Sequence, residues 1–227
     1  MSFWDKFCFF EGVNFAEKSG KHFMKKNTFL LISLFSIYAK SQISVQAYAG
    51  NKEAEVLGIY DKDFGIRWNY FVSGTASYQY DTRKVTPGIY QNLNYFIGNH
   101  WGVSGGVYIS DEDMMPSLGL AYAKETRNFG INLFPAITYS FETGKLGLGL
   151  YTLLEYTPKI NEHLNLYSML MLESDFSFKE HQESSQIIRL GIENNKRLQL
   201  GIGSNISQTG NSLETEVNFG IFIGKKF

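Results

Sequence analysis

The sequence predicts an all-β chain, an antiparallel transmembrane β-barrel of about twelve strands joined by short turns on both sides. Three observations lead there. From Ile43 onward, side chains alternate between apolar residues and small or polar ones, the period of a half-exposed strand. The second face of that alternation carries glycine, asparagine, serine and tyrosine with few charges, unlike the wet face of a soluble sandwich. The composition agrees: Gly 22, Tyr 14 and Phe 19 are high counts for 227 residues, and Pro 4 is low.

An oily face turned to lipid and a small, polar face turned to a crowded interior is the pattern of a barrel wall. Lipid offers no hydrogen bonds, so a spanning sheet has to close on itself. A spanning helix is excluded, because no apolar run approaches the length of about 18 residues it needs. The net charge of -1 lacks the basic face that a nucleic-acid partner requires.

Residues 24–41 read as a leader. Met24-Lys25-Lys26-Asn27 is a charged start, Thr28 to Tyr38 is a short apolar run, and Ala39-x-Ser41 is a small-x-small cleavage site. Met24 then reads as the start, with residues 1–23 upstream of it, 24–41 as signal peptide and 42–227 as a single barrel domain. Cys8 is the lone cysteine and lies upstream, so residues 42–227 can form neither disulfide nor thiolate site.

The predicted strands run near residues 43–50, 53–60, 66–80, 88–97, 100–110, 117–123, 128–141, 145–157, 163–175, 185–193, 197–207 and 213–227. The first two are short, which leaves about ten strands as the alternative. The later ones are the plainest. Phe129, Ile131, Leu133, Pro135, Ile137, Tyr139 and Phe141 share one face, opposite Gly130, Asn132, Phe134, Ala136, Thr138 and Ser140. Leu146, Leu148, Leu150 and Leu154 repeat the pattern against Gly147, Gly149, Tyr151 and Glu155. Leu164, Leu166, Leu170 and Leu172 oppose Tyr167, Met169, Met171 and Glu173, and Ile188, Leu190 and Ile192 oppose Arg189, Gly191 and Glu193. Pro135 has no N–H to give a ladder, so a bulge or local bend is expected there. Turns sort into two sets, and the longer ones (81–87, 111–116, 178–184) fall on the side away from the C-terminus.

The chain ends on "EVNFGIFIGKKF", with Val217, Phe219, Ile221 and Ile223 on one face before the terminal Phe227; Lys225 departs from that face. Trp68, Tyr95, Trp101, Phe129 and Tyr156 fall near segment ends, where a membrane-interface girdle would lie. On these residues, 42–227 resembles the outer-membrane β-barrels of Gram-negative bacteria. In that family the insertion machinery recognises a last strand of this kind. The resemblance implies an outer-membrane location, export by a cleaved signal peptide, surrounding lipid, and that machinery as a partner through the last strand.

Little in the sequence points to catalysis. His100 and His163 fall in turns and His181 in an outer loop, none expected to share a strand face with a serine and an acid. "GVSGG" at 102–106 is a run of small inward residues and no dinucleotide fingerprint, and no cofactor is expected. Asp111, Glu112 and Asp113 form the densest acidic cluster, a weak metal candidate and more simply a solvated loop tip.

The inward charges carry more. Arg67, Glu155, Glu173, Arg189 and Glu193 are expected to line the lumen, with Arg189 close to Glu173 on neighbouring strands. Inward Phe134, Tyr151, Tyr167, Met169 and Met171 imply a narrow or occluded passage. The expected function is a narrow passive channel for small polar solutes. The alternatives are a non-conducting accessory barrel that binds another envelope protein and, more remotely, an outer-membrane hydrolase.

Overall fold

The computed structural model describes residues 42–111, 113–177 and 180–227. Residues 1–41, with the predicted leader and Cys8, lie outside the described residues, as does Glu112 of the acidic triplet.

Twelve antiparallel strands close into one barrel. In order they are β1 (Gln42–Gly50), β2 (Glu53–Phe64), β3 (Trp68–Gln79), β4 (Val85–Phe96), β5 (Trp101–Ser110) and β6 (Met114–Glu125). There follow β7 (Phe129–Tyr139), β8 (Leu146–Tyr156), β9 (Leu164–Ser177), β10 (His181–Asn194), β11 (Leu198–Thr209) and β12 (Glu214–Lys226). Each strand pairs with the next, and β1 returns to β12, Ser44 opposite Lys226 and Gly50 opposite Gly220. Closure leaves no unpaired edge.

The twelve-strand reading holds and the ten-strand alternative falls. β2 runs four residues past its predicted end, to Phe64, and pairs with β3 along its whole length. β4, β6 and β10 also begin earlier than their apolar pattern suggests, taking in 85–87, 114–116 and 181–184 of the predicted turns. The expected excess of long connections on that side is therefore absent: the longest, 157–163, joins β8 to β9 at the end that holds Gln42 and Phe227. Polar strand ends give no hydrophobic period, so the sequence pattern reads them as loop. Gly65 and Gly144 reverse the chain at φ 67 and φ 66, a left-handed conformation that glycine adopts without a side-chain penalty.

Pro135 is placed mid-strand without the expected bulge. On the β8 side Pro135 opposes Leu150 in an unbroken ladder. On the β6 side pairing stops at Gly119↔Ala136 and resumes at Tyr122↔Leu133 in the same register. The missing N–H removes local ladder bonds on one side and shifts nothing.

The faces are inverted relative to a soluble protein. Leu118, Leu148, Leu190, Ile202, Phe219, Ile221 and Ile223 are exposed, whereas Gln46, Asn92, Asn94, Gln199 and Arg189 are buried. Aromatic pairs ring the ends of this apolar band. Trp68 stacks near Tyr95 at 4.8 Å and Trp101 near Tyr122 at 4.7 Å at one end, and Tyr139 meets Phe141 at 5.3 Å at the other.

Candidate functional site: the lumen

Because alternate residues of every strand point inward, the lumen is a list of odd or even positions from each ladder. Its waist is aromatic. Phe71 on β3, Phe134 on β7 and Tyr151 on β8 meet with ring centroids 5.3 Å and 5.4 Å from Phe71, and Tyr90 stacks on Tyr151 at 4.5 Å. All but Tyr90 are in the buried core, together with Met169 and Met171. The wall formed by β5 and β6 presents Gly102, Ser104, Gly106, Gly119 and Ala121 inward, which leaves room for the rings opposite.

Beside the waist lies a buried ion pair. Arg189 Nη2 donates to Glu55 Oε1 at 3.0 Å, and its Nη1 donates to Asn205 Oδ1 at 2.8 Å. Asn205 Nδ2 donates in turn to Glu55 Oε2 at 3.2 Å. The guanidinium lies 4.1 Å from the Tyr48 ring centre, a cation–π contact, and the Tyr48 hydroxyl donates to the Asn218 carbonyl at 2.6 Å. This corrects the expected Arg189–Glu173 neighbourhood. Arg189 stands opposite Met169 on β9, and Glu173 stands opposite Ser185, four positions along. The true partner comes from β2, across the closing seam of the barrel.

A second network follows on the side of the termini. Gln199 Nε2 donates to Glu193 at 2.9 Å, and Gln46 Nε2 donates to Gln199 at 3.3 Å and to the Tyr167 hydroxyl at 2.6 Å. Tyr167 reaches Glu155 at 3.5 Å, whose other oxygen accepts from Lys226 Nζ at 2.7 Å. Predicted lumen residues Glu155 and Glu193 thus belong to one chain of hydrogen bonds.

This end opens into a vestibule of about 1150 Å³. Its floor is acidic and amide-rich. Asn69 Nδ2 donates to Asp61 at 2.5 Å and Asp63 at 3.1 Å, and Asn94 Nδ2 donates to Asn69 Oδ1 at 2.9 Å. Glu125 accepts from Gln42 at 3.4 Å. The rim carries Arg67, Arg127, Lys159 and Arg197. Arg67 is therefore a rim residue in the β2–β3 turn rather than a wall residue, its guanidinium 3.1 Å from the Tyr95 hydroxyl.

Glu55, Asp61, Asn69, Gln46, Gln199 and Lys226 are site residues that sequence reasoning missed. All but Asn69 and Gln199 lie on the two strands read as short or on the last one, and inward parity from those strands would have found them. Of the acidic triplet, Asp111 pairs with Lys84 at 3.2 Å, and Asp113 Oδ1 accepts the Met114 and Glu142 amides at 2.7 Å and 3.0 Å. No group of three His, Cys, Asp or Glu side chains among the described residues is arranged to hold a metal.

No family model and no curated protein matches this chain. Among solved structures it is similar to the KdgM porin, at TM-score 0.47 and 9% identity over 82% of this chain and 99% of that one. A NanC porin structure follows at TM-score 0.46, 11% identity, 82% and 98% coverage. LpxR from Salmonella typhimurium is similar at TM-score 0.38 and 10% identity, with 82% and 99% coverage. At these scores and identities the likenesses decide nothing about the lumen.

Proposed function

We propose that this chain is an outer-membrane β-barrel of channel type from a Gram-negative bacterium. In this reading it admits small polar solutes to a charged vestibule and keeps its waist shut in the conformation described. Residues 24–41 direct its export, the last strand from Val217 to Phe227 engages the insertion machinery, and lipid surrounds the wall. The observation that carries the membrane location is the predominantly apolar outer face of a closed sheet, with Ile202, Phe219 and Ile221 all exposed. Support for a channel is the polar vestibule, whose lining reaches inward to Glu155 and Glu193.

A second reading has its own observation. Phe71, Phe134 and Tyr151 are buried, a fill that also suits a barrel that never conducts and serves as an accessory to another envelope protein. Single-channel recording of the protein in a planar lipid bilayer separates the two. The gated channel gives rare discrete openings in the wild type and frequent ones after Glu55→Gln. Silence from both, with insertion demonstrated, selects the accessory reading. A steady open conductance in the wild type would show that the waist is not the barrier.

A further inference from the structure

His181 does not sit in a loop. It opens β10, where pairing with β9 shifts register between His181 and Glu183. The shift brings the imidazole back along the strand. Its Nε2 lies 2.8 Å from Ser184 Oγ, and its Nδ1 lies 3.0 Å from the Gly210 carbonyl oxygen. A carbonyl only accepts, so Nδ1 carries the proton in this arrangement and Nε2 is left as the acceptor for the Ser184 hydroxyl. A nucleophile on a base, with the base oriented by a third group, is the arrangement that activates serine. Ser184 Oγ also donates to Ser174 Oγ, directly opposite on β9, at 2.9 Å, so its one proton has to turn from Ser174 to Nε2 before the base can take it.

The position of the pair narrows its chemistry. Ser184 has the parity of Ile188, Leu190 and Ile192, which are exposed on the outer wall, and not that of buried Arg189. Its neighbours along the ladder are Phe176, edge-on to His181 at 5.1 Å, and Leu148 opposite Phe176, both exposed. The pair therefore stands outside the lumen, at the end of the apolar band away from the termini, with Ser184 itself only 8% exposed.

We propose that Ser184 and His181 are a nucleophile and general base for carboxylic esters of the acyl-lipid class. The choice of lipid as substrate rests on the membrane reading above; the activated serine does not. Ser184 Oγ attacks the ester carbonyl carbon while its proton passes to His181 Nε2. The carbon–oxygen bond to the alcohol breaks, and the alcohol leaves with that proton. Water then attacks the acyl-Ser184 ester, giving its proton to Nε2, and the carboxylic acid departs as Ser184 regains a proton.

The test uses the full chain in detergent micelles, with folding checked by heat-dependent gel mobility. A fluorophosphonate probe is expected to label Ser184, and labelling is lost in Ser184→Ala. His181→Asn keeps an N–H in reach of the Gly210 carbonyl but has no base, so labelling slows about a hundredfold or more while the barrel still folds. Hydrolysis of p-nitrophenyl butyrate and of phosphatidylcholine vesicles is then compared. Turnover of both supports the proposal, and turnover of the soluble ester alone keeps the nucleophile but removes the lipid substrate. No labelling at Ser184 in folded wild type, or equal labelling in His181→Asn, overturns it and leaves His181 as a cap on the register shift.

Discussion

Arg189 on β10 reaches Glu55 on β2 at 3.0 Å, joining residues 134 apart in sequence across the lumen. Side-chain exposure is 0% for Arg189 and 6% for Glu55, so neither charge has water to turn to. Removing one partner of such a pair leaves a buried charge uncompensated, at a cost of about 3–5 kcal/mol. Glu55→Gln and Arg189→Met alone are therefore expected to lower the guanidinium midpoint of unfolding in micelles. The double replacement Arg189→Met with Glu55→Leu is expected to recover most of the loss, because two apolar side chains need no counter-charge. A double variant no better than the single ones would show that the pair matters only through packing.

The aromatic waist makes a different forecast. Phe71→Ala combined with Tyr151→Ala removes two rings that touch each other and costs roughly 3–5 kcal/mol each before any coupling. In a planar bilayer the same variant is expected to conduct in discrete steps larger than any of the wild type. Unchanged traces from inserted protein would place the barrier elsewhere in the lumen.

The vestibule charges bear on selectivity. Asp61 and Asp63 are held by the Asn69 amide, whereas Glu155 is matched by Lys226. Converting both aspartates to asparagine is expected to shift the reversal potential towards anions in a salt gradient. Lys226→Met moves it the other way and changes stability by only about 1 kcal/mol or less, because that pair is partly wet. Glu173→Gln belongs in the same series, and selectivity indifferent to every one of these changes would remove the charged-lumen reading.

The outer wall separates lipid from water. Ile221→Lys puts a charge on the exposed face of β12 and is expected to cost about 2–4 kcal/mol for folding into lipid vesicles. Phe227, whose amide donates to the Ile43 carbonyl at 2.8 Å, joins the last strand to the first. Deleting it is expected to slow assembly in vesicles more than it lowers final stability. Equal tolerance of lysine at Ile221 and at the Glu216 position near the strand end would argue that this face does not meet a bilayer.

The strand number, the inward and outward parity and the apolar band were legible in the chain, because alternation is local and every second residue reports its own side. Phe134, Tyr151, Tyr167, Met169, Met171, Glu155 and Glu193 all point inward as their parity demands. Partners were not legible. Arg189 had an acid on the neighbouring strand in sequence, yet it took Glu55 from beyond the β1–β12 seam, because closure and stagger decide which side chains share a height. Tertiary structure alone also moved Arg67 to the rim, kept Pro135 in register and turned His181 onto Ser184. Those outcomes depend on ladders with a second strand, which no single segment of sequence contains.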